Sequence, residues 1–573
     1  MKIVQRTLAS ASAGLPGQLH PVMQRIYLAR GVASRDDLEL ELAGLLPVGR
    51  LTGVDAAAEL LMESLQRDRP IVIVGDYDAD GASSTALPVL AQRAFGAGKV
   101  SYLVPNRFEF GYGLTSEIVD LVAERQPGLI VTVDNGIASH AGVERAAALG
   151  IPVLVTDHHL PGERLPAAAA IVNPNQPGDD FPSKHLAGVG VIFYVMAALG
   201  RQLDAAGWFS QRGLAPPSVA DWLDLVALGT VADLVPLDRN NRILVSQGLK
   251  RIRAGRCRPG IRALLEVANR SLAQTVASDI GYAAGPRLNA AGRLEDMGLG
   301  IDCLLTDSLE AARHMAQALD ELNRSRRRIE QEMRRQAEQL LEQLHRLGEG
   351  ELQAGLCLYD ESWHQGVVGI LASRIKDQYH RPVIAFADGG DGVMKGSARS
   401  VSGLHMRDLL DRIATRHPGM LQRFGGHAMA AGLTLEAARY PAFKAAFEAE
   451  VAEAIEPSML QGLLLTDGEL QGEEMTLEMA QTLRDGGPWG QGFPEPLFEG
   501  EFRLLEQRVV GESHLRLRLA PARRTSAIDG IAFNQPPLPG GTRSLRLAYR
   551  LDINEYRGQR QPQLIVEYIQ STT

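Results

Sequence analysis

The feature that most restricts how this chain can fold is a recurrence between positions 71 and 172. Five short runs rich in β-branched residues, IVIV (71–74), VSYLV (100–104), LIVTV (129–133), PVLVT (152–156) and AAIV (169–172), are separated by stretches with helical spacing. Strands alternating with helices predict an α/β fold around a mostly parallel sheet. Three of the runs end directly in acidic residues: Asp76, Asp78 and Asp80 after the first, Asp134 after the third, and Asp157 with His158 and His159 after the fourth. Open α/β sheets bind ligands at the carboxyl ends of their strands, so these residues are expected to converge on one crevice.

The segment VGDYDADG sets three aspartates at alternate positions, which in extended chain would aim all three the same way. Gly81 then permits a turn, and ASSTALPVLAQRAF reads as a helix whose N-terminus favours anions. A calcium loop of the D-x-D-x-D-G type needs a bidentate Glu at its twelfth position; counted from Asp76 that position is Leu87, and the reading fails. A single Asp at a strand end is usually a helix cap. Several on one sheet, with Asp233 in ALGTVADLVPL as a further candidate, differ, because close carboxylates raise each other's pKa unless cations neutralise them. Carboxylates with imidazoles and no cysteine in these motifs favour Mn²⁺ or Mg²⁺ over a soft metal. Two ions sharing a bridging carboxylate, about 3.5–4 Å apart, would generate a hydroxide for in-line attack on phosphorus.

A length of 573 residues predicts roughly three or four structural units. From Ser308 to Leu347 there is neither Gly nor Pro; the stretch opens on an Asp307-x-x-Glu310 capping pattern and stops at Gly348. Its apolar residues Met315, Leu319, Leu322, Ile329, Met333, Ala337, Leu340, Leu344 and Leu347 keep 3/4 spacing, with Arg326 interrupting the seam. One long helix of roughly 60 Å is expected. It reads as a connector rather than a coiled-coil stalk because α/β patterning resumes beyond it, with GLCLYD, an amphipathic segment at 367–379 and RPVIAF. The last stretch, with HLRLRLA, SLRLAYRLDINEY and PQLIVEYI, reads as a small β-barrel; an OB-like barrel would suit a nucleic-acid enzyme. The expected boundaries are 1–305, 306–348, 349–457 and 458–573.

A net charge of −9 would by itself discourage a nucleic-acid partner. Residues 501–573, however, hold eleven Arg, no Lys and seven acids, a net +4 that leaves −13 on the rest. Cys257, Cys303 and Cys357 are too dispersed for a CxxC pair, and their odd number argues against a disulfide framework, which fits a reducing cytoplasm. The N-terminal segment lacks a signal-type apolar run, and the apolar stretch from Val189 to Leu199 is too short for a bilayer, so no membrane association is expected.

DYDADG, VDNG, TDHH and the later Asp233 follow the order of the four signature motifs of the DHH phosphoesterases, a family this chain resembles over nearly its whole length. GPRLNAAGRL (285–294), KGSARS (395–400), GGHAMAAG (425–432) and PVMQRIYLARGV near the start resemble its RecJ branch, whose parallel-sheet DHH domain is joined by a long helix to a DHHA1 domain. The resemblance implies Asp78 and Asp134 on one metal and Asp80, Asp134, His158 and Asp233 on the other. By the same resemblance Asp134 would bridge, Asp76 would be an additional ligand or stand just outside the ligands, and His159 would lie beside the scissile phosphate. Many DHH enzymes carry a histidine four residues before the second aspartate of the first motif; Val74 stands there in this chain, which leaves the ligand set of the first metal open.

On the substrate side, Arg287, Asn289 and Arg293 offer donors to phosphate oxygens among small residues, and Ser397 with Arg399 offers a hydroxyl and a bidentate fork. By resemblance Arg107, Arg287, Ser397 and Arg399 would bind a terminal 5′ phosphate and Tyr112 would stack on a base, while His427 and its two preceding glycines would meet phosphate. Trp489, within GGPWGQGFPEP, reads as a packing anchor. The implied function is a metal-dependent exonuclease releasing mononucleotides from the 5′ end of single-stranded DNA in recombination and repair. The alternative is a DHH phosphodiesterase of oligoribonucleotides, cyclic dinucleotides or nucleoside bisphosphates. A catalytically silent DNA-binding scaffold is disfavoured because every implied ligand stands. The implied partners are single-stranded DNA, a single-stranded-DNA-binding protein and a helicase, the chain acting as a monomer in the cytoplasm.

Overall fold

The computed structural model describes residues 1–7, 14–105, 110, 113–346, 353–511, 513–521 and 527–572. The chain divides into two compact units, Gln5–Asp320 with Leu465–Thr573, and Met1–Val4 with Glu321–Leu464.

In the first unit β1 (Ile71–Val74), β2 (Val100–Leu103), β3 (Leu129–Val133), β4 (Val153–Thr156) and β5 (Ala170–Val172) form a parallel sheet in the order β2-β1-β3-β4-β5. β1, β3 and β4 are buried at every position, which is why they read as unbroken apolar runs rather than alternations. The expected strands are thus present, trimmed by a residue at Val104, Pro152 and Ala169. Four helices bear on the site: α1 (Ala79–Ala94), α2 (Gly188–Ala205), α3 (Leu223–Ala232) and α4 (Gly285–Leu294). α1 packs on both α2 and α3, and all three bury most of their length. GPRLNAAGRL forms helix α4.

The long helix α5 runs from Leu309 to Arg346. Its cap is Ser308, whose hydroxyl accepts from the Ala311 N–H at 3.2 Å, in place of the expected Asp307 pattern; the expected stop at Gly348 lies outside the described residues. Leu319, Met333 and Ala337 of the expected seam are buried, and Arg326 is tolerated there because Glu330 at 2.9 Å and Asn323 satisfy it. The second unit holds β6 (Leu356–Tyr359), β7 (Val383–Asp388), β8 (Val393–Arg399), β9 (Arg423–Gly426) and β10 (Ala430–Glu436), with α6 (Val368–Tyr379) packed on the sheet. The order is β9-β10-β8-β7-β6, with β6 and β7 parallel and the other pairs antiparallel. GGHAMAAG is consequently a hairpin: Gly425 and Gly426 sit opposite Gly432 and Ala431, and the His427 N–H donates to the Ala430 carbonyl at 2.7 Å.

The C-terminal strands β11 (Phe498–Val510), β12 (His514–Pro521), β13 (Ile528–Ala532), β14 (Ser544–Tyr556) and β15 (Gln559–Thr572) close into a barrel, β11-β12-β13-β15-β14. Its interior is filled by alternating residues such as Phe498, Phe502, Leu515, Leu517 and Tyr549. Trp489 packs as expected, stacked on Phe493 at 5.2 Å with its indole N–H on the Leu483 carbonyl. Among the described residues no helix is long and apolar enough to cross a membrane.

Candidate metal centre

The first motif does not stay extended. Asp78 is the N-cap of α1, its Oδ1 accepting from the Gly81 N–H at 2.8 Å, so Asp80 already lies on the first helical turn and cannot share the direction of Asp76 and Asp78. That break of the expected alternation sorts the carboxylates into two groups. Ligand atoms of Asp76, Asp78 and Asp134 lie within 4.8 Å of one another, and so do those of Asp80, His158 and Asp233. A third set, Asp134, His158 and His159, links them.

Asp80 is fully buried, and its two oxygens accept from the Gly188 and Val189 N–H groups at 2.6 and 3.1 Å, capping α2 from outside that helix. Asp134 ends β3 in the left-handed region at φ 60°, a conformation a non-glycine residue adopts at a cost that marks functional positions. Room for it comes from Gly188, where a Cβ would fall 2.6 Å from the Asp134 Cβ, and room for Asp80 comes from Gly229, where a Cβ would fall 2.4 Å from Oδ1. Asp233 follows the last turn of α3. Among the described residues its buried Oδ2 accepts no hydrogen bond, and it lies 3.6 Å from His158 Nε2, which is 3.1 Å from Asp134 Oδ1.

Burial, with Asp78 adding to it, pushes Asp80 up to about 7. Burial and the surrounding aspartates hold Asp134 and Asp233 well above the usual carboxylate range. Carboxylates crowded in this way call for positive charge, and a donor set of oxygens and imidazole without sulfur fits Mn²⁺ or Mg²⁺. Asp157, outside these groups, ties the histidines: its Oδ1 accepts from the His158 and His159 N–H groups at 2.7 and 3.1 Å and lies 2.7 Å from His159 Nδ1. Burial works against the His159 imidazolium, but Asp157 outweighs it and holds the group up at about 9.

The expected substrate residues divide. Arg287 is buried against Asp320 at 2.7 Å and donates to the Ala283 carbonyl at 2.6 Å, contacts that brace α4 within the unit. Asn289 gives its carbonyl oxygen to the Ala79 N–H at 2.7 Å, fixing the start of α1, and Arg293 is half-buried on the same helix. The small residues of α4 admit protein backbone: a Cβ on Gly292 would fall 1.8 Å from the Tyr77 carbonyl oxygen. In the second unit Arg399 donates to Ser397 Oγ at 3.1 Å and to the Ala398 carbonyl at 2.8 Å. Among the described residues no carboxylate pairs with it, and burial alone lowers its pKa. A Cβ on Gly369, near the start of α6, would crowd Ser397 Oγ at 2.9 Å and Arg399 Nη2 at 3.0 Å. His427 sits at the turn between β9 and β10. Arg107 and Tyr112 lie outside the described residues.

Sequence reasoning missed Gly188, Gly229 and Gly292, whose contribution is space, and Asn135, whose amide ties Val74 and Val133 carbonyls at 3.2 and 2.8 Å. An Asn directly after Asp134 was the one available signal.

The chain matches three family models: the DHH family N-terminal domain over residues 70–230, the DHHA1 domain over 352–453 and the RecJ OB domain over 466–568. It is 56% identical over 569 residues to the single-stranded-DNA-specific exonuclease RecJ of Escherichia coli, covering 99% of this chain and 98% of that one. Against the enzyme of the same name from Haemophilus influenzae it is 51% identical, covering 96% of each. The crystal structure of Thermus thermophilus RecJ in complex with Mn²⁺ superposes with a TM-score of 0.79 at 32% identity, over 97% of this chain and 76% of that one. The Mg²⁺ complex of the same protein gives 0.74 at 30% identity, over 97% and 75%.

Proposed function

Since the chain belongs to the RecJ family of DHH phosphoesterases, we propose that it is a divalent-metal-dependent exonuclease that hydrolyses single-stranded DNA from the 5′ end, releasing mononucleotides in recombination and repair. The observation that carries this reading is the pair of buried ligand groups, Asp76, Asp78 and Asp134 beside Asp80, His158 and Asp233, linked through Asp134 and His158. These residues would hold two ions, Mn²⁺ or Mg²⁺, with Asp134 shared. Bound there, such ions supply a water of lowered pKa as nucleophile and neutralise charge on the phosphoryl oxygens.

The chain's own groups do the rest. The α2 amides at Asp80 fix that carboxylate, so no reorganisation is needed when charge develops. His159, kept cationic by Asp157, presents a donor to a phosphate oxygen next to the ligands. Ser397 and Arg399 would receive a terminal 5′ phosphate, with Arg107, Tyr112, Arg293 and His427 as further substrate contacts. Arg287 and Asn289, which also brace α4 and fix the start of α1, would be substrate contacts with them. The closed barrel weighs toward a polymeric substrate.

The functional segments run as 1–305, 306–348, 349–457 and 458–573. The reading places the chain in the cytoplasm as a monomer, with a single-stranded-DNA-binding protein and a helicase as partners. Digestion of end-labelled single- and double-stranded DNA, with 5′-phosphate or 5′-hydroxyl ends and with Mn²⁺, Mg²⁺ or EDTA, tests it. Metal-dependent loss of nucleotides from the 5′ end of single strands is expected; release from the 3′ end, or equal attack on blunt duplex, would overturn it.

A further inference from the structure

Resting on that reading of His158 and His159, we infer that Asn173 and Asn175 are positioning residues that clamp the two histidines from the carbonyl side. Asp157 holds the tripeptide by its N–H groups, which fixes only one edge of the turn. The opposite edge is held by the loop after β5. Asn173 Nδ2 donates to the His159 carbonyl at 2.9 Å, and Asn175 Nδ2 donates to the His158 carbonyl at 2.6 Å. The two amides are themselves joined, because Asn173 Oδ1 accepts from the Asn175 N–H at 2.7 Å.

The loop has little freedom to yield. Asn173 is fully buried, and the intervening Pro174 gives its carbonyl to Lys184 Nζ at 2.6 Å. Lys184 is in turn held by the Asp179 carbonyl at 2.8 Å and its Oδ1 at 2.9 Å. An imidazole on a turn fixed at both peptide edges keeps its ring aimed, and groups outside the ligand shell that do this typically govern metal affinity or rate by roughly ten- to a hundredfold. The two amides act on different histidines, so their loss should be felt differently. Asn175 serves a proposed metal ligand, whereas Asn173 serves the residue proposed to meet phosphate.

The test uses the full chain, Mn²⁺ and a 5′-phosphorylated single-stranded oligonucleotide. Asn175→Ala should weaken Mn²⁺ binding, read by calorimetric titration without DNA, about ten- to a hundredfold and leave KM for DNA unchanged. Asn175→Asp, which keeps the volume and loses the donor, serves if the alanine variant unfolds. Asn173→Asp, which keeps the acceptor for the Asn175 N–H, should lower kcat about tenfold or more at saturating Mn²⁺. Each loss should vanish when its histidine is already alanine, because a residue acting through His158 or His159 has nothing left to orient. Mn²⁺ affinity within twofold of the parent for the Asn175 variants, or losses that multiply with the histidine substitutions, would overturn the clamp. His158→Ala with an unaltered Mn²⁺ dependence would instead overturn the reading of the site itself.

Discussion

The carboxyl edge of the parallel sheet and the rim of β8 present opposite problems of charge. At the first, buried aspartates crowd together and hold Asp134 and Asp233 far above the ordinary carboxylate range. At the second, the Arg399 guanidinium is half-buried and, among the described residues, donates to a hydroxyl and a carbonyl and pairs with no carboxylate. Burying uncompensated charge is costly, and such arrangements persist where a ligand of opposite sign belongs. On the proposed function, cations would belong at the sheet edge and an anion at Ser397 and Arg399.

The comparison breaks most visibly at Asp134. Asp134→Ala removes the carboxylate proposed to be shared by both metals and should cost roughly a thousandfold or more in kcat, with the circular dichroism spectrum unchanged. Turnover within tenfold of the parent would contradict the shared ligand.

At the other pole, Arg399→Ala removes a charge-assisted contact of roughly 1.5–3 kcal/mol, weakening capture of 5′-phosphorylated strands about ten- to a hundredfold and of 5′-hydroxyl strands much less. Comparing enzyme with and without Arg399 on DNA with and without the phosphate isolates that coupling. Equal losses would assign Arg399 to an internal phosphate or to the fold.

The smallest effect sharpens the acidic side. Below about 7 Asp80 holds a proton that a metal must displace, and the raised Asp134 and Asp233 act in the same direction. Mn²⁺ affinity should therefore fall as pH drops from 8 to 6, by up to about tenfold per unit for each proton released. His159, held at about 9, stays charged through most of that window and does not reverse the sign. Calorimetric titrations with Mn²⁺ across this range read the slope directly, and a flat profile would place the metal elsewhere.

Much of this was legible in the sequence because strands that end in acids announce a sheet edge, and the order of DYDADG, VDNG, TDHH and Asp233 carried the rest. What escaped has a physical pattern. The direction of Asp80 depended on where α1 starts, which a count of alternate positions cannot show. Gly188, Gly229 and Gly292 act by leaving space for residues distant in sequence, and Arg287 found a buried partner in Asp320 on another helix. The glycines of GGHAMAAG gave no sign of the hairpin in which they pair. Of the barrel, β11 was hidden by a bulge between Leu504 and Glu506 that interrupts its alternation, and β13 by its brevity.

The most direct test of two metals sharing Asp134 is the anomalous signal of crystals grown with Mn²⁺. Two peaks are expected, one in contact with Asp76, Asp78 and Asp134 and one with Asp80, Asp134, His158 and Asp233, both diminished in the Asp134→Ala protein. A single peak, or two that leave Asp134 unliganded and persist without it, would contradict the assignment.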